Sequence, residues 1–396
     1  MAMPLEGVKV VELGTLIAAP FAARLFAEFG AEVVKIESPA GGDPLRRWSL
    51  LYKDTSLWWR AQARNKKSVT ADLSHPEGQA LVKKLIEQAD VVIENFRPGT
   101  LEKWGLGWET LSQINPRLVM LRISGFGQTG PYRDKPGFGA IGESMGGLRE
   151  LTGYPDRPPV RVGVSIGDSL AALYGVIGAL MALRHRDQRG GGGQFIDVAL
   201  NEAVFGVTES LISEYGMFGH LRARTGAALP GVSPSNTYRC ADDRYVVIAG
   251  NTDGIFKRLM RAIGRPDLGA DPELAHNDGR VRQNAKLDEV IGAWAAGRTL
   301  AEALRILEAA EVPSGPIYTA KDIFEDPQYR SRGMIERHSL DDGQPIDLPG
   351  IVPKLSDTPG ATRWLGPELG EHTDEVLERL GYSADLIRRL RAEGVI

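Results

Sequence analysis

The N-terminal half of the chain alternates between two hydrophobic patterns. Short, nearly continuous apolar runs such as VKVVELG, AEVVKIES and RLVMLRISGFG are typical of buried strands. Between them lie APFAARLFAEFG and HPEGQALVKKLIEQA, in which apolar residues recur at helical spacing. Strands that alternate with helices predict parallel β-α-β units, so the pattern indicates an α/β fold with a doubly wound, mostly parallel sheet.

A chain of 396 residues exceeds what one hydrophobic core usually supports, which predicts two domains. The segment TGAALPGVSPSN breaks the alternation, and TYRCADDRYVVIAG after it has the pattern of a hairpin. We therefore predict a large Rossmann-like domain over 1–200, a linker over 201–224 and a small α+β domain over 225–325. Residues 326–396 are predicted to be a return linker and C-terminal helices that pack on the large domain.

Composition argues against several classes of protein. The formal net charge of -4 gives no sign of a nucleic-acid partner. Cys240 is the only cysteine, and there is no Cys/His cluster with zinc spacing, so we expect no metal and a cytoplasmic location. The N-terminus lacks the pattern of a secretory signal, and the longest apolar run, LAALYGVIGALMAL, is short for a membrane span. We interpret this run as a buried core helix, with no membrane association.

The turn after the first predicted strand reads ELGTLIAAPFAAR, with Gly14 as its only glycine. A dinucleotide-binding turn needs G-x-G-x-x-G so that a pyrophosphate can approach the backbone, and the P-loop pattern is missing as well. The sequence therefore argues against a nicotinamide-dependent oxidoreductase.

Basic and aromatic residues nevertheless gather in loops next to predicted strands. They are Arg46 and Arg47 in GGDPLRRW, Arg64, Lys66 and Lys67 in RNKKS, and Asn95, Phe96, Arg97, Lys103 and Trp104 in ENFRPGTLEKWG. Each group by itself is typical of a solvated surface. Together they fit a ligand whose phosphates bind cations and whose flat base packs against aromatic rings.

Asp168 lies in VRVGVSIGDSLAALYG, directly after a glycine and ahead of a long apolar helix. One interpretation is an N-cap, because Asp is among the best capping residues and the pattern predicts a helix that starts near Ser169. The capping-box partner is missing, however, since position 171 is Ala. The other interpretation is a nucleophile, because a helix dipole keeps such a carboxylate ionised and glycines leave room for a substrate.

Eight stretches occur in an order that carries a family resemblance. They are PLEGVKVVELG, LFAEFGAEVVKIESPAGGDPLR, RNKKSVTADLSHPEG, ADVVIENFRPGTLEKWGLG, SGFGQTGP, VGVSIGDSLAALYG, GGGGQFIDVAL and VPSGPIYTAKDIFEDPQ. With them the chain resembles, over essentially its full length, the class III CoA-transferases, the group that contains formyl-CoA transferase and carnitine CoA-transferase.

The resemblance implies that Asp168 is the nucleophile. It would attack an acyl-CoA donor such as succinyl-CoA, forming an aspartyl anhydride and then an aspartyl-CoA thioester, before CoA passes to a carboxylic acid acceptor. CoA is then a substrate, with no tightly bound cofactor and no metal. The family also implies an interlocked homodimer.

The resemblance also assigns CoA contacts by position. These are Leu16, Ala71, Ser74, Asn95, Phe96, Lys103 and Trp104. Two matches are inexact, since some members carry Arg at position 103 and Lys at position 74. The basic loops add Arg64, Lys66 and Arg97 as predicted CoA contacts. Lys135 in YRDKPGFG is a further candidate for a phosphate or pantetheine contact, with a solvated loop lysine as the alternative.

Four further positions, Gln128, Phe138, Gly139 and Gly231, are predicted to concern the substrate. Gly139 stands where many members carry an acidic residue, and losing a carboxylate there reduces repulsion of an anionic acceptor, which favours a short dicarboxylate. Gln128 either binds the acceptor or a carbonyl oxygen, or only stabilises its turn. The mobile glycine-rich loop of the family corresponds to ALPGVSPSN, where Gly231 is the only glycine. Whether residues 228–236 close over the site is open.

Phe138 bears on the alternatives. The α-methylacyl-CoA racemases of the same superfamily use a histidine with an aspartate, and Phe138 occupies the position of that histidine. No histidine lies between His75 and His185, so the sequence favours a CoA-transferase over a racemase. A noncatalytic CoA-binding protein is the remaining alternative.

Overall fold

The computed structural model describes residues 3–396, which form two compact units. The first comprises the chain up to Arg149, Arg161–His220 and Gly333–Ile396, and the second comprises Glu150–Val160 and Leu221–Arg332. The site described below lies within the first unit.

Six parallel strands form the sheet of the first unit. They are β1 (Lys9–Glu12), β2 (Glu32–Glu37), β3 (Lys66–Thr70), β4 (Val91–Glu94), β5 (Val119–Ser124) and β6 (Gln194–Ala199). Their order across the sheet is β3-β2-β1-β4-β5-β6, and each neighbouring pair is parallel. The prediction of an α/β fold with a large parallel sheet is confirmed.

Helices cover both faces of this sheet, as expected of strands that are apolar on both sides. The helices up to residue 220 are α1 (Ala18–Glu28), α2 (Leu57–Gln62), α3 (Pro76–Ile86), α4 (Thr100–Lys103), α5 (Trp108–Ile114), α6 (Gly139–Met145), α7 (Leu148–Leu151), α8 (Ile166–Arg189), α9 (Leu200–Phe205) and α10 (Leu211–Phe218), of which those in the two cores described next pack on the sheet. One core contains buried residues of α1, α8 and α9, and the other contains those of α3, α4 and α5. A 3-10 turn at Pro44–Arg47 and a short hairpin, Leu51–Tyr52 with Thr55–Ser56, follow β2.

The C-terminal part of the first unit begins at Gly333. It consists of an antiparallel hairpin, Ile335–Ser339 with Pro345–Pro349, and the helices Thr373–Arg379 and Ala384–Ala392. Leu377 and Leu390 of these helices join the same core as α3.

The second unit has its own core around a three-stranded antiparallel sheet. The strands are Ser235–Arg239, Tyr245–Ala249 and Ser314–Pro316, with Tyr245–Ala249 in the middle. Its helices are Asp253–Ala262, Pro266–Ala270, Asn277–Arg282, Asn284–Ala296, Leu300–Ala309, Ala320–Glu325 and Pro327–Ser331, with a 3-10 turn at Pro272–Leu274. The predicted hairpin at Cys240 corresponds to the first two strands.

Two details differ from the sequence prediction. Residues 201–224, predicted as a linker, contain most of α9 and all of α10. The apolar run LAALYGVIGALMAL is short for a membrane span, but helix α8, which contains it, has 24 residues and is long and apolar enough to cross one. One face of α8 packs against α1 and against β5 and β6 of the sheet, whereas the other face exposes apolar side chains such as Met181, so α8 is only partly buried.

Candidate active site

A cavity of about 330 Å³ opens at the carboxyl ends of the central strands of the first unit. It is lined by residues 15–18 after β1, 95–98 after β4, 123–125 at the end of β5, residues 135–140 and the segment that leads into α8. The strand order reverses between β1 and β4, and doubly wound sheets bind ligands in the crevice at this switch point. We call this space the Asp168 cavity.

Asp168 lies in the first turn of α8 and lines this cavity. The helix begins at Ile166, so the predicted start near Ser169 is wrong, and Ser165 occupies the N-cap position without a side-chain capping hydrogen bond. Asp168 is therefore not the helix cap. Burial raises the pKa of its carboxyl to about 6, against the smaller lowering effects of its own backbone N–H and of Arg161.

Backbone packs directly against the Asp168 carboxylate. A Cβ atom added to Gly139 would lie 1.8 Å from Oδ2 of Asp168. A Cβ atom added to Gly167 would lie 2.8 Å from the carbonyl oxygen of Gly139. Many family members carry an acidic residue at position 139, where this chain has glycine. In this structure the Asp168 carboxylate fills the space that a side chain at position 139 would need.

The loop after β1 is held in place from two sides. Asn95 accepts the N–H of Thr15 and donates to its carbonyl oxygen, each at 2.9 Å. Asp43 accepts the N–H of Leu16 at 3.0 Å, where Leu16 has the uncommon left-handed φ of 67°. Gly14 is needed because a Cβ there would lie 2.6 Å from Oδ1 of Asn95. Leu16 on this loop and Asn95, which follows β4 and holds the loop, are both predicted CoA contacts, and both line the Asp168 cavity.

A second cavity of about 300 Å³ shares Thr15 and Phe96 with the first. Ala71, Ser74 and Trp104 line it as well, and we call it the Trp104 cavity. The rings of Phe96 and Trp104 meet edge to face, with their centroids 5.3 Å apart. The structure thus brings together four of the predicted CoA contacts.

Buried charges support this aromatic pair. Glu94 accepts the N–H of Phe96 at 2.8 Å, and Arg122 donates to Glu94 at 2.7 Å and to Glu102 at 2.8 Å. Burial raises the pKa of Glu94 to about 7, since Arg122 only partly offsets the cost of its desolvation. These contacts connect the ends of β4 and β5 to α4, which precedes Trp104.

Ser74 lies beside a carboxylate rather than in a cationic setting. Its hydroxyl donates to Oδ1 of Asp72 at 2.6 Å, and this hydrogen bond lowers the pKa of Asp72. Asp72 lines the Trp104 cavity too. Some family members carry a lysine at position 74, so having Ser74 there means one positive charge fewer in a cavity that already holds the negative charge of Asp72.

The structure contradicts the prediction that Arg64 and Lys66 bind CoA. Each is only 1% exposed. Arg64 donates to Glu28 at 2.7 Å, and Nζ of Lys66 lies 2.7 Å from Oε2 of Glu12. Burial lowers the pKa of Lys66 to about 8. A buried charge is stable only with such partners, so neither side chain is free to bind a phosphate.

Of the remaining cationic candidates, two line the Asp168 cavity and one does not. Arg97 donates to the carbonyl oxygen of Asp134 at 2.6 Å, and Nζ of Lys135 lies 3.6 Å from the centre of the Tyr132 ring. Lys103 is exposed on α4 and lines neither cavity.

The predicted substrate residues do not all lie at the Asp168 cavity. Phe138 and Gly139 line the Asp168 cavity, whereas Gln128 lines neither cavity. The backbone N–H of Gln128 donates to Asp197 at 2.9 Å, which agrees with its role in the turn. Gly231, with a φ of 71°, belongs to the second unit, and the closure of its segment over the site stays a prediction.

Among the residues that line the Asp168 cavity and were not predicted from the sequence are Trp48, Glu143 and Arg161. Trp48 follows the basic pair at 46–47, and a ring beside that pair was a usable signal. Glu143 is 1% exposed, and no local pattern distinguishes it from an ordinary helical glutamate. Arg161 lies shortly before Asp168, and a positive charge at that place was a signal too.

None of the residues that line the Asp168 cavity is a histidine, so the second base of a racemase is missing from it.

The sequence model of CoA-transferase family III matches residues 5–373. The chain is 52% identical to the succinyl-CoA–D-citramalate CoA-transferase of Chloroflexus aurantiacus, over 99% of this chain and 98% of that protein.

Two further similarities agree with this match. The chain is 45% identical to the beta subunit of the succinyl-CoA–L-malate CoA-transferase of Chloroflexus aurantiacus, over 100% of this chain and 98% of that subunit. Its fold matches the crystal structure of a CAIB/BAIF family protein from Brucella suis with a TM-score of 0.84 and 36% identity, over 96% of this chain and 100% of that one. The chain therefore belongs to the class III CoA-transferase family and is a CoA-transferase.

Proposed function

We propose that this enzyme transfers CoA from succinyl-CoA to a second short dicarboxylic acid, with Asp168 as the nucleophile. The observation that carries the proposal is the Asp168 carboxylate, which lines a cavity and is hydrogen-bonded by no side chain of residues 3–396. The two Chloroflexus relatives are named for the use of succinyl-CoA with citramalate or malate, and both acids are dicarboxylic.

In the proposed reaction an Asp168 oxygen attacks the succinyl carbonyl, the C–S bond breaks and CoA leaves as a thiolate. The thiolate then attacks the aspartyl carbonyl of the resulting anhydride, which releases succinate and leaves an aspartyl-CoA thioester. A carboxylate of the acceptor attacks this thioester and again releases the thiolate. Finally, the thiolate attacks the acceptor carbonyl of the second anhydride, which restores the Asp168 carboxylate and forms the new acyl-CoA.

The setting of Asp168 suits this role. Its raised pKa reflects a carboxylate that has lost part of its hydration, and an anion with less hydration is a stronger nucleophile. Its place in the first turn of α8 puts it near the positive end of the helix dipole, which favours the ionised form.

We propose that CoA extends across both cavities. Thr15 and Phe96 line both, so a single elongated ligand can occupy the Trp104 cavity and reach the Asp168 cavity. The adenine then packs near Trp104 and the thioester reaches Asp168. Arg97 and Lys135 are the predicted cationic contacts that remain available for the phosphates or the pantetheine.

A direct assay tests the function. The purified protein is incubated with succinyl-CoA and, one at a time, citramalate, malate, glutarate, butyrate and acetate, and the acyl-CoA products are identified by mass spectrometry. We expect new acyl-CoA esters with dicarboxylic acids and much less product with the two monocarboxylic acids. No product with any of the three dicarboxylic acids would contradict the proposed acceptor class, and equal rates with acetyl-CoA as donor would contradict the proposed donor.

We expect the rate of the first half-reaction to rise with pH and to level off above about pH 6. Only the ionised carboxylate attacks the thioester, and burial raises the pKa of Asp168 to about 6, so protonation removes the nucleophile below that value. The measurement is kcat/KM for succinyl-CoA at pH values from about 5 to about 8. A value that stays constant down to the lower limit, in an enzyme shown to remain folded there, contradicts the assignment.

We also propose that two copies form the interlocked homodimer that the family implies. Helices α8 and α10 expose large apolar side chains, including Met181 (67% exposed), Met217 (78%) and Phe218 (74%). A monomer in water rarely leaves such a surface uncovered. Mass photometry at nanomolar concentration is expected to show a dimer, because unthreading would require one unit to unfold, and a monomer-dimer equilibrium in the micromolar range would contradict it.

The compartment that we propose is the cytoplasm. The core packing of α8 supports this, as does the single buried thiol of Cys240, which suits a reducing environment. Fractionation of cells is expected to recover the activity in the cytosolic fraction, and recovery with the membranes would contradict the proposal.

A further inference from the structure

Arg161 is a cation of the Asp168 cavity that forms no ion pair with an acidic side chain among the described residues. It lines the cavity, and among residues 3–396 no carboxylate lies within ion-pair distance of its guanidinium. Its Nε donates to the carbonyl oxygen of Val162 at 3.1 Å and its Nη2 to that of Val164 at 3.2 Å. A guanidinium has five N–H donors, so Arg161 keeps donors for a ligand.

The segment that carries Arg161 is fixed by a buried carboxylate. Glu143 of α6, itself 1% exposed, accepts the N–H of Val162 at 3.0 Å. Its Oε1 also lies 3.5 Å from Nε of Arg149. Because Glu143 holds the residue next to Arg161, the guanidinium stands at a defined place beside the cavity.

The proposed reaction creates a need for a cation at this place. A succinyl group attached to Asp168 carries a second carboxylate, only two methylene groups away from the reacting carbonyl. Two negative charges so close oppose each other and oppose attack by the carboxylate nucleophile. Arg161 lines the same cavity as Asp168, and its positive charge favours the ionised form of that carboxyl, so it also offsets a second negative charge brought into the cavity.

We propose that Arg161 binds the unreacted carboxylate of the donor and, in turn, of the acceptor, and so makes the enzyme select dicarboxylic acids. This inference rests on the proposed function. Donor and acceptor acids are joined at different times to the same carboxyl group of Asp168, so one arginine serves both. An arginine suits the task because its planar donors bind a carboxylate through two hydrogen bonds.

The two other cations of the cavity are less suited to this role. Arg97 donates to the carbonyl oxygen of Asp134, and Lys135 lies against the Tyr132 ring. Neither contributes to the pKa of Asp168, whereas Arg161 does. The charge that acts on the nucleophile is therefore the one placed to meet the distal end of a short acid.

The test compares two isotope-exchange reactions, of labelled succinate into succinyl-CoA and of labelled butyrate into butyryl-CoA. Butyrate has the length of succinate but a methyl group in place of the second carboxylate. Arg161→Gln is expected to raise the KM for succinate by roughly 10- to 100-fold, the range of a lost hydrogen bond to a charged group. The KM of butyrate as substrate, or its inhibition constant if its exchange is too slow, should change less than about twofold.

Two variants serve as controls. Arg161→Lys keeps the charge and is expected to have a KM for succinate between those of the wild type and Arg161→Gln. Arg157→Gln removes an exposed arginine that does not line the cavity, and it should behave as the wild type. The hydrogen bonds that Arg161→Gln removes lie within an exposed segment, and a melting temperature equal to that of the wild type verifies the fold.

The possible results separate the inference from the proposed function. An unchanged KM for succinate, or an equal loss for succinate and butyrate, overturns the role of Arg161 while the wild-type enzyme still exchanges succinate. Absence of succinate exchange in the wild type overturns the proposed function and the inference with it. A selective rise for succinate that lysine partly reverses supports both.

Discussion

Replacing Asp168 by Asn is expected to lower the rate of CoA transfer by at least roughly 10,000-fold while the protein stays folded. The amide has nearly the size of the carboxylate but does not form the anhydride. The folded-state pKa of about 6 exceeds the ordinary value of 3.8, so the carboxyl loses folding stability as pH rises between these values. The neutral amide avoids this loss, and the variant should melt no lower than the wild type above about pH 6.

The measurements are initial rates with succinyl-CoA, thermal melting and intact mass, which excludes deamidation. Asp187→Asn is the matched control, because Asp187 lies at the other end of α8, where it pairs with Arg117 and Arg186 on the surface. It should keep most of the activity. Hydroxylamine added to wild-type enzyme with donor should label the peptide that contains Asp168. An active Asp168→Asn variant of correct mass would return this residue to a structural role.

Gly139→Ala is expected to reduce kcat/KM by on the order of 100-fold or more. The melting temperature is expected to fall only modestly. The new methyl group would lie 1.8 Å from Oδ2 of Asp168, so either the carboxylate or the start of α6 must move. A displacement of about 1 Å at a reacting group is enough to cost this much. The first half-reaction, measured as CoA released from succinyl-CoA in a single turnover, reports the loss directly.

Gly163→Ala is the control for this variant. Gly163 lies on the segment before α8, and a Cβ atom there would meet nothing within 4 Å. Its kcat/KM should stay within about twofold of the wild type. Wild-type kinetics for Gly139→Ala would mean that the carboxylate is not held against α6 during the reaction, contrary to the geometry described above.

Several parts of the site were accessible from the sequence because their signals are local. Asp168 follows a glycine at the start of a long apolar helix, and the aromatic pair Phe96 and Trp104 lies in one short stretch after a predicted strand. The exact start of α8 was missed, because the residues before Ser169 have no apolar period that marks them as helical. The sequence did not show which cations of the basic loops reach the site. Arg97 lines the Asp168 cavity, whereas Arg64 is buried elsewhere.

The sequence by itself determined the alternation of strands and helices, the parallel sheet and the position of Asp168, the proposed nucleophile, at the start of a helix. These follow from spacing along the chain, since the periods of strands and helices are properties of neighbouring residues. Only the tertiary structure decided which charges are free. Lys66 is paired because the fold places Glu12 of β1, two strands away in the sheet, beside it. Arg161 is available because no carboxylate of the described residues lies within ion-pair distance of it. Burial and ion pairing depend on partners that are distant in the sequence, and a local pattern of charges does not contain them.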